Sequence, residues 1–122
     1  MCINNFFFKY SNYRNLAEDK DLNLASNPIN PETNDLFTRC SDGLLICKAI
    51  NFSAPNTIDE KSLNRGIETT FFKQLENIEL ALRSAESIGC RVINIRPIDI
   101  TQGKENLILG LLWQIIKVIL FF

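Results

Sequence analysis

Acid–base catalysis, metal binding and phosphate binding each need particular side chains, and this chain lacks most of them. It has no histidine among its 122 residues. That removes the Ser-His-Asp and Cys-His arrangements in their common forms, and with them the usual zinc ligand. Cys2, Cys40, Cys47 and Cys90 are scattered with no Cys-x-x-Cys pair, so a thiolate metal site is not predicted. No glycine-rich phosphate loop occurs in the sequence. Asp19-Lys20-Asp21-Leu22-Asn23 opens like a calcium loop, but Leu24 stands where the sharp turn needs glycine and Asn30 where a bidentate glutamate belongs. Asp59, Glu60, Glu68, Glu76 and Glu86 read as caps and solvated faces. The expectation is a non-catalytic chain with no cofactor and no metal.

A surface remains as the carrier of function. Leu109-Gly110-Leu111-Leu112-Trp113-Gln114-Ile115-Ile116 is apolar almost all round, so it reads as part of a helix over residues 104–120 that is buried on several sides and central to the domain. One polar seam escapes: Asn106, Gly110, Gln114 and Lys117, at spacings of four, four and three. Such a seam meets either water or a partner. Trp113 stands among Leu111, Leu112 and Ile116 and is assigned to the core, where its loss would cost about 3–5 kcal/mol.

Composition narrows the partners. With 46% hydrophobic residues, 122 residues can fill one core as one domain. The net charge is −1, the basic residues are spread singly, and no basic run offers a footprint for nucleic acid or an anionic membrane. The apolar stretch 107–122 falls short of the roughly 20 residues a bilayer span needs, and Gln114 and Lys117 interrupt it. Phe6-Phe7-Phe8 is too short for a signal-peptide core. The cysteines are therefore expected to be reduced and intracellular, and the Asn51-Phe52-Ser53 sequon carries no weight. Residues 118–122 are an apolar tail that something must cover.

The elements follow from periodicity and punctuation. A first helix of mixed polarity is predicted over residues 10–18. Pro28 and Pro31 interrupt the chain, and Asn34 or Asp35 opens a helical turn ending near Cys40. Asp42-Gly43 introduces the apolar helix 44–50, and Asp59-Glu60-Lys61-Ser62 is a one-turn helix within a loop. Phe71, Leu75, Ile78, Leu82 and Ala85 recur at helical spacing over residues 70–88, with Glu79 and Arg83 paired on the outer side and Gly89 as the stop. Residues 92–95 are extended, and 97–101 form a further turn. The fold class is all-α, with four main helices plus short connecting helices.

Several ordered blocks then carry a resemblance. Asn51-Phe52-Ser53-Ala54-Pro55-Asn56-Thr57-Ile58-Asp59-Glu60, Leu80-Ala81-Leu82-Arg83-Ser84-Ala85-Glu86-Ser87-Ile88-Gly89-Cys90, Ile93-Asn94-Ile95 and the segment 104–117 follow one another as in the first calponin-homology domain of the fimbrin/plastin family of actin-bundling proteins. The chain resembles that domain from about residue 29 to 120. The resemblance implies the calponin-homology fold over residues 10–122, with 1–9 as a poorly ordered extension. It also implies binding to filamentous actin in the cytoplasm, as part of the actin cytoskeleton, with a second calponin-homology domain as a possible further partner.

The family's first helix and its last helix with the preceding segment supply actin contacts. Carried onto this sequence, these are Tyr10, Tyr13 and Arg14, then Arg96, Lys104, Asn106, Gln114 and Lys117. Two departures accompany the match. Tyr13 stands for a tryptophan and Arg14 for an apolar residue, while Arg96-Pro97 replaces a pair of small residues. The altered first helix would suit an alternative, an adaptor domain that binds another protein after losing actin affinity. A truncated product is the third reading.

Overall fold

The structure is a computed structural model that describes residues 19–24, 26–66 and 69–120, without the side chains of 119 and 120. The helix expected over residues 10–18, the extension 1–9, and Phe121 with Phe122 lie outside the described residues. Among the described residues five α-helices follow in order: α1 (Asp35–Arg39), α2 (Leu44–Ser53), α3 (Phe71–Ser87), α4 (Pro97–Thr101) and α5 (Glu105–Leu120). A single 3-10 turn, Glu60–Ser62, sits in the long connection between α2 and α3. Among the described residues there is no strand, as the all-α reading requires.

Helix α2 is the enclosed one. Residues 44–50 are buried without interruption, and α2 packs against both α3 and α5. The expectation that the last helix is central is corrected here: α5 buries one face, whereas α2 is covered on all sides. The reason is chemical. α2 carries a single charge, Lys48, and the fold neutralises it in place.

The Lys48 ammonium, whose side chain is 6% exposed, lies 2.9 Å from Asp19 Oδ2, 3.0 Å from Asp21 Oδ2 and 2.6 Å from Glu60 Oε1. Three N–H donors thus meet three carboxylates. Burial alone would lower the lysine's pKa, and the bonds to Glu60, Asp19 and Asp21 raise it above its ordinary value instead. A raised lysine pKa stabilises the fold fully at neutral pH, and that contribution is lost only in alkali above about 10.4. The aspartates that resemble a calcium loop therefore have a different employment. Asp19 Oδ1 also accepts the backbone N–H groups of Asp21 and Leu22.

The entry to α2 needs glycine. Gly43 has φ +82°, and a Cβ there would stand 2.9 Å from Asn77 Cβ, Ile78 Cγ1 and the Ile78 nitrogen. The bare backbone lets α2 start directly against α3. At the other end of α3, the Cys90 N–H bonds to the Ala85 carbonyl and the Gly89 N–H to that of Glu86. This is the Schellman closure, with Gly89 left-handed at φ +100°. Thr70 caps the start of α3 by accepting the Lys73 N–H.

Amide side chains fasten the loops. Asn77, 1% exposed in α3, takes both backbone groups of Asn64, each at 2.8 Å, and donates to the Asp42 carbonyl at 3.0 Å. In α2, Asn51 donates to the Ile58 carbonyl at 2.9 Å and accepts its N–H at 2.8 Å. Ser53 joins α2 to α5 through the Ile115 carbonyl. Replacing Asn77 by leucine keeps the branched outline of the side chain but orphans three backbone groups. We expect Asn77→Leu to lower the unfolding free energy by about 3 kcal/mol in urea titration, far more than an exposed change such as Glu76→Ala in the same helix.

Candidate interaction surface

Helix α5 turns Ile108, Leu111, Leu112, Ile115 and Ile116 into the core. Its opposite face presents Asn106, Gly110, Trp113 and Lys117, all exposed, at spacings of four, three and four. Three members of the expected seam are therefore in place, but two neighbours have exchanged roles. Trp113 is 43% exposed and belongs to the outer face, which corrects its assignment to the core. The Lys117 ammonium lies 5.6 Å from the centre of its ring, a contact worth about 0.5–1 kcal/mol at an exposed site. The flanking leucines suggested burial, yet Trp113 follows Asn106 by seven residues, close to the roughly 7.2 of two full turns.

Gln114 has turned off that face. Its Oε1 accepts the backbone N–H of Arg91 at 2.6 Å, and its Nε2 donates to the Arg91 carbonyl at 2.9 Å. The residue expected to be a free contact is instead half-buried and pins the segment after α3 to the side of α5; that segment, expected to be extended over 92–95, turns at Asn94 with φ +61°. Val118 packs against the core, so the apolar tail begins under cover and not in water.

The two upstream cations share one buried partner. Asp99, whose side chain is 4% exposed, is met at 3.1 Å by Arg96 Nη2 and at 2.9 Å by Lys104 Nζ. It also accepts the Arg96 backbone N–H at 2.9 Å and so caps α4. Arg96 and Lys104 stay largely exposed, at 69% and 48%. The cluster keeps one net positive charge, held at a defined place by a residue that sequence reasoning did not single out. Asp at the third helical position, two residues after Pro97, was the available signal.

Tyr10, Tyr13 and Arg14 lie outside the described residues. Arg96, Lys104, Asn106 and Lys117 all reach the surface from α5 and the segment before it.

Nucleophilic chemistry finds little support. Burial pushes the Cys47 thiol up to about 12, and it raises Cys40 and Cys90 as well. These thiols are core packing. A groove of about 680 Å³ between α3 and α4 is lined by Phe72, Leu75, Glu76, Glu79, Arg83 and the Arg96–Ile98 turn. Its charges are of mixed sign, and Glu79 faces Arg83 at 3.9 Å.

The Asp99 cluster has a pH signature. The bonds from Arg96 and Lys104 hold its carboxyl well below the usual carboxylate range. A depressed pKa gives stability that is present above the unfolded value of about 3.9 and is lost as pH falls through the folded value. Asp99→Asn should therefore melt below wild type at pH 7, and the gap should narrow once the pH falls below about 4. A gap that stayed constant from pH 7 to pH 2 would remove the ionic role given to Asp99.

Comparison with known proteins agrees with this geometry. The profile of the calponin homology (CH) domain matches residues 21–120. Plastin-2 of Danio rerio is 48% identical over 113 residues, which are 92% of this chain and 18% of that protein. Plastin-3 of Homo sapiens is 54% identical over 94 residues, 77% of this chain and 15% of that protein. The chain thus spans under a fifth of the length of these relatives. The actin-crosslinking core of Schizosaccharomyces pombe fimbrin superposes with a TM-score of 0.85 at 43% identity, covering 95% of this chain and 25% of that one. Helix order, the enclosed α2 and the profile match lead to one assignment: the chain belongs to the calponin homology family, and its domain is of the fimbrin/plastin kind.

Proposed function

We propose that this domain is a non-catalytic module that binds filamentous actin within a fimbrin/plastin-like cross-linking protein of the cytoplasmic actin cytoskeleton. The observation that carries the reading is the outer face of α5. Asn106, Trp113 and Lys117 form an amide, aromatic and basic strip on a helix otherwise committed to the core. Arg96 and Lys104 add positive charge at its upstream end. Aromatic anchors with basic neighbours are what protein interfaces favour, and the cations would speed and orient encounter with an acidic filament more than they deepen affinity. Tyr10, Tyr13 and Arg14 would supply a second part of the surface, from the segment that precedes Asp19.

One surface holds one filament. Cross-linking then requires a second module, such as another calponin-homology domain, on the same particle. Among the described residues no helix is long and apolar enough to cross a membrane.

Co-sedimentation with filamentous actin tests the reading. Trp113→Ala should weaken pelleting about 30-fold, the loss of a roughly 2 kcal/mol anchor, while changing unfolding stability by less than about 1 kcal/mol, as an exposed site allows. A folded chain that never pellets with filaments would favour the adaptor reading. Filament bundling by the monomeric chain would show two actin sites in one domain and overturn the one-surface account.

A further inference from the structure

We propose that Arg91 is a contact group of this same surface, and that Gln114 is the residue that positions it. The inference rests on the actin-binding reading and extends it to residues that the seam on α5 does not contain. The geometry has three parts.

First, the Gln114 carboxamide holds the Arg91 backbone by both its N–H and its C=O. The Arg91 side chain takes no part in that pairing. Because Gln114 directly follows Trp113, the pairing sets Arg91 along the flank of the Trp113–Lys117 strip.

Second, burial alternates along residues 91–93, before Asn94 turns the chain at φ +61°. Val92 packs against the core, while Arg91 and Ile93 are exposed, Ile93 by 64%. A cation and an apolar side chain are therefore both open to solvent on the segment fastened to Gln114, the neighbour of Trp113.

Third, the other described arginines each have a carboxylate partner: Arg39 with Asp35, Arg65 with Asp21, Arg83 with Glu79 and Arg96 with Asp99. Arg91 has no ion pair among the described residues. Its guanidinium keeps its full set of donors available, in the planar fork that suits a carboxylate. The ligand it fits is an acidic side chain on the filament, with Ile93 covering the apolar margin of the contact.

The backbone origin of the staple makes the test clean, because Arg91→Ala removes the guanidinium and leaves both bonds to Gln114. Binding of the chain and its Arg91→Ala, Gln114→Ala and double variants to filamentous actin would be measured by co-sedimentation at two salt concentrations, with urea unfolding alongside. Arg91→Ala should bind about fivefold more weakly, with a shallower salt dependence and an unchanged unfolding midpoint. Arg91→Lys should recover part of the loss. Gln114→Ala should weaken binding and lower stability, and adding Arg91→Ala to it should cost less than about twofold more, since the cation is then already misplaced.

Wild-type pelleting with Arg91→Ala bound as tightly as wild type would overturn this inference and leave the actin reading standing. Losses that multiply fully in the double variant would show that Gln114 does not act through Arg91, and would overturn its positioning role. Failure of the wild-type chain to pellet would remove both readings together.

Discussion

A side-chain carboxamide that pairs with both backbone groups of one loop residue is the interaction on which this domain depends. Among the described residues it occurs three times, once from each long helix: Asn51 of α2 on Ile58, Asn77 of α3 on Asn64, and Gln114 of α5 on Arg91. The amide presents a donor and an acceptor side by side, so it stands in for the neighbouring strand that an all-α fold lacks. Without these pairings, the long connection from α2 to α3 and the segment after α3 would lose their side-chain ties to the helices. With them, irregular chain is fixed to rigid helices at three defined points.

Charge is handled in two contrasting ways. The Lys48 cage is closed: every ammonium proton has a carboxylate, and the side chain is hidden. It ties the turn at residues 19–24, and the 3-10 turn at Glu60, to the most enclosed helix. Leaving such a charge without partners would be strongly destabilising. The Asp99 cluster is open. Its buried carboxylate anchors Arg96 and Lys104 from below while both cations remain in reach of solvent. The first arrangement builds the domain, and the second gives its surface a fixed positive point.

Much of the fold was legible in the sequence because local rules decide it. Asp42-Gly43, Thr70, Gly89 and Pro97 mark helix ends by φ preference and capping, and the periodicity from Phe71 to Ala85 gives α3 its buried face. Helix α2 ran three residues beyond its expected end, to Ser53, since no breaker precedes Pro55. The amide staples were not legible, because they join residues 7, 13 and 23 apart through tertiary placement. The same limit explains the exchange of Trp113 and Gln114. Spacings of four, four, three and four, three, four both fit a helical face, and a polar residue was preferred for the outside on chemistry alone. What decided the matter was a hydrogen-bonding partner for Gln114 on a distant segment, which no local pattern announces.

The functional account stands on Trp113 facing outward as the anchor of a filament contact. Its most direct test is hydroxyl-radical footprinting of the chain, free and bound to filamentous actin, read by mass spectrometry. Phe72, 77% exposed on α3, lines the groove that Arg96 also borders and reports on contact at that side. The account predicts that Trp113 is oxidised readily in the free chain and protected on the filament, and protected more strongly than Phe72. Protection of Phe72 with Trp113 still open would place the filament on the α3 groove and contradict the account.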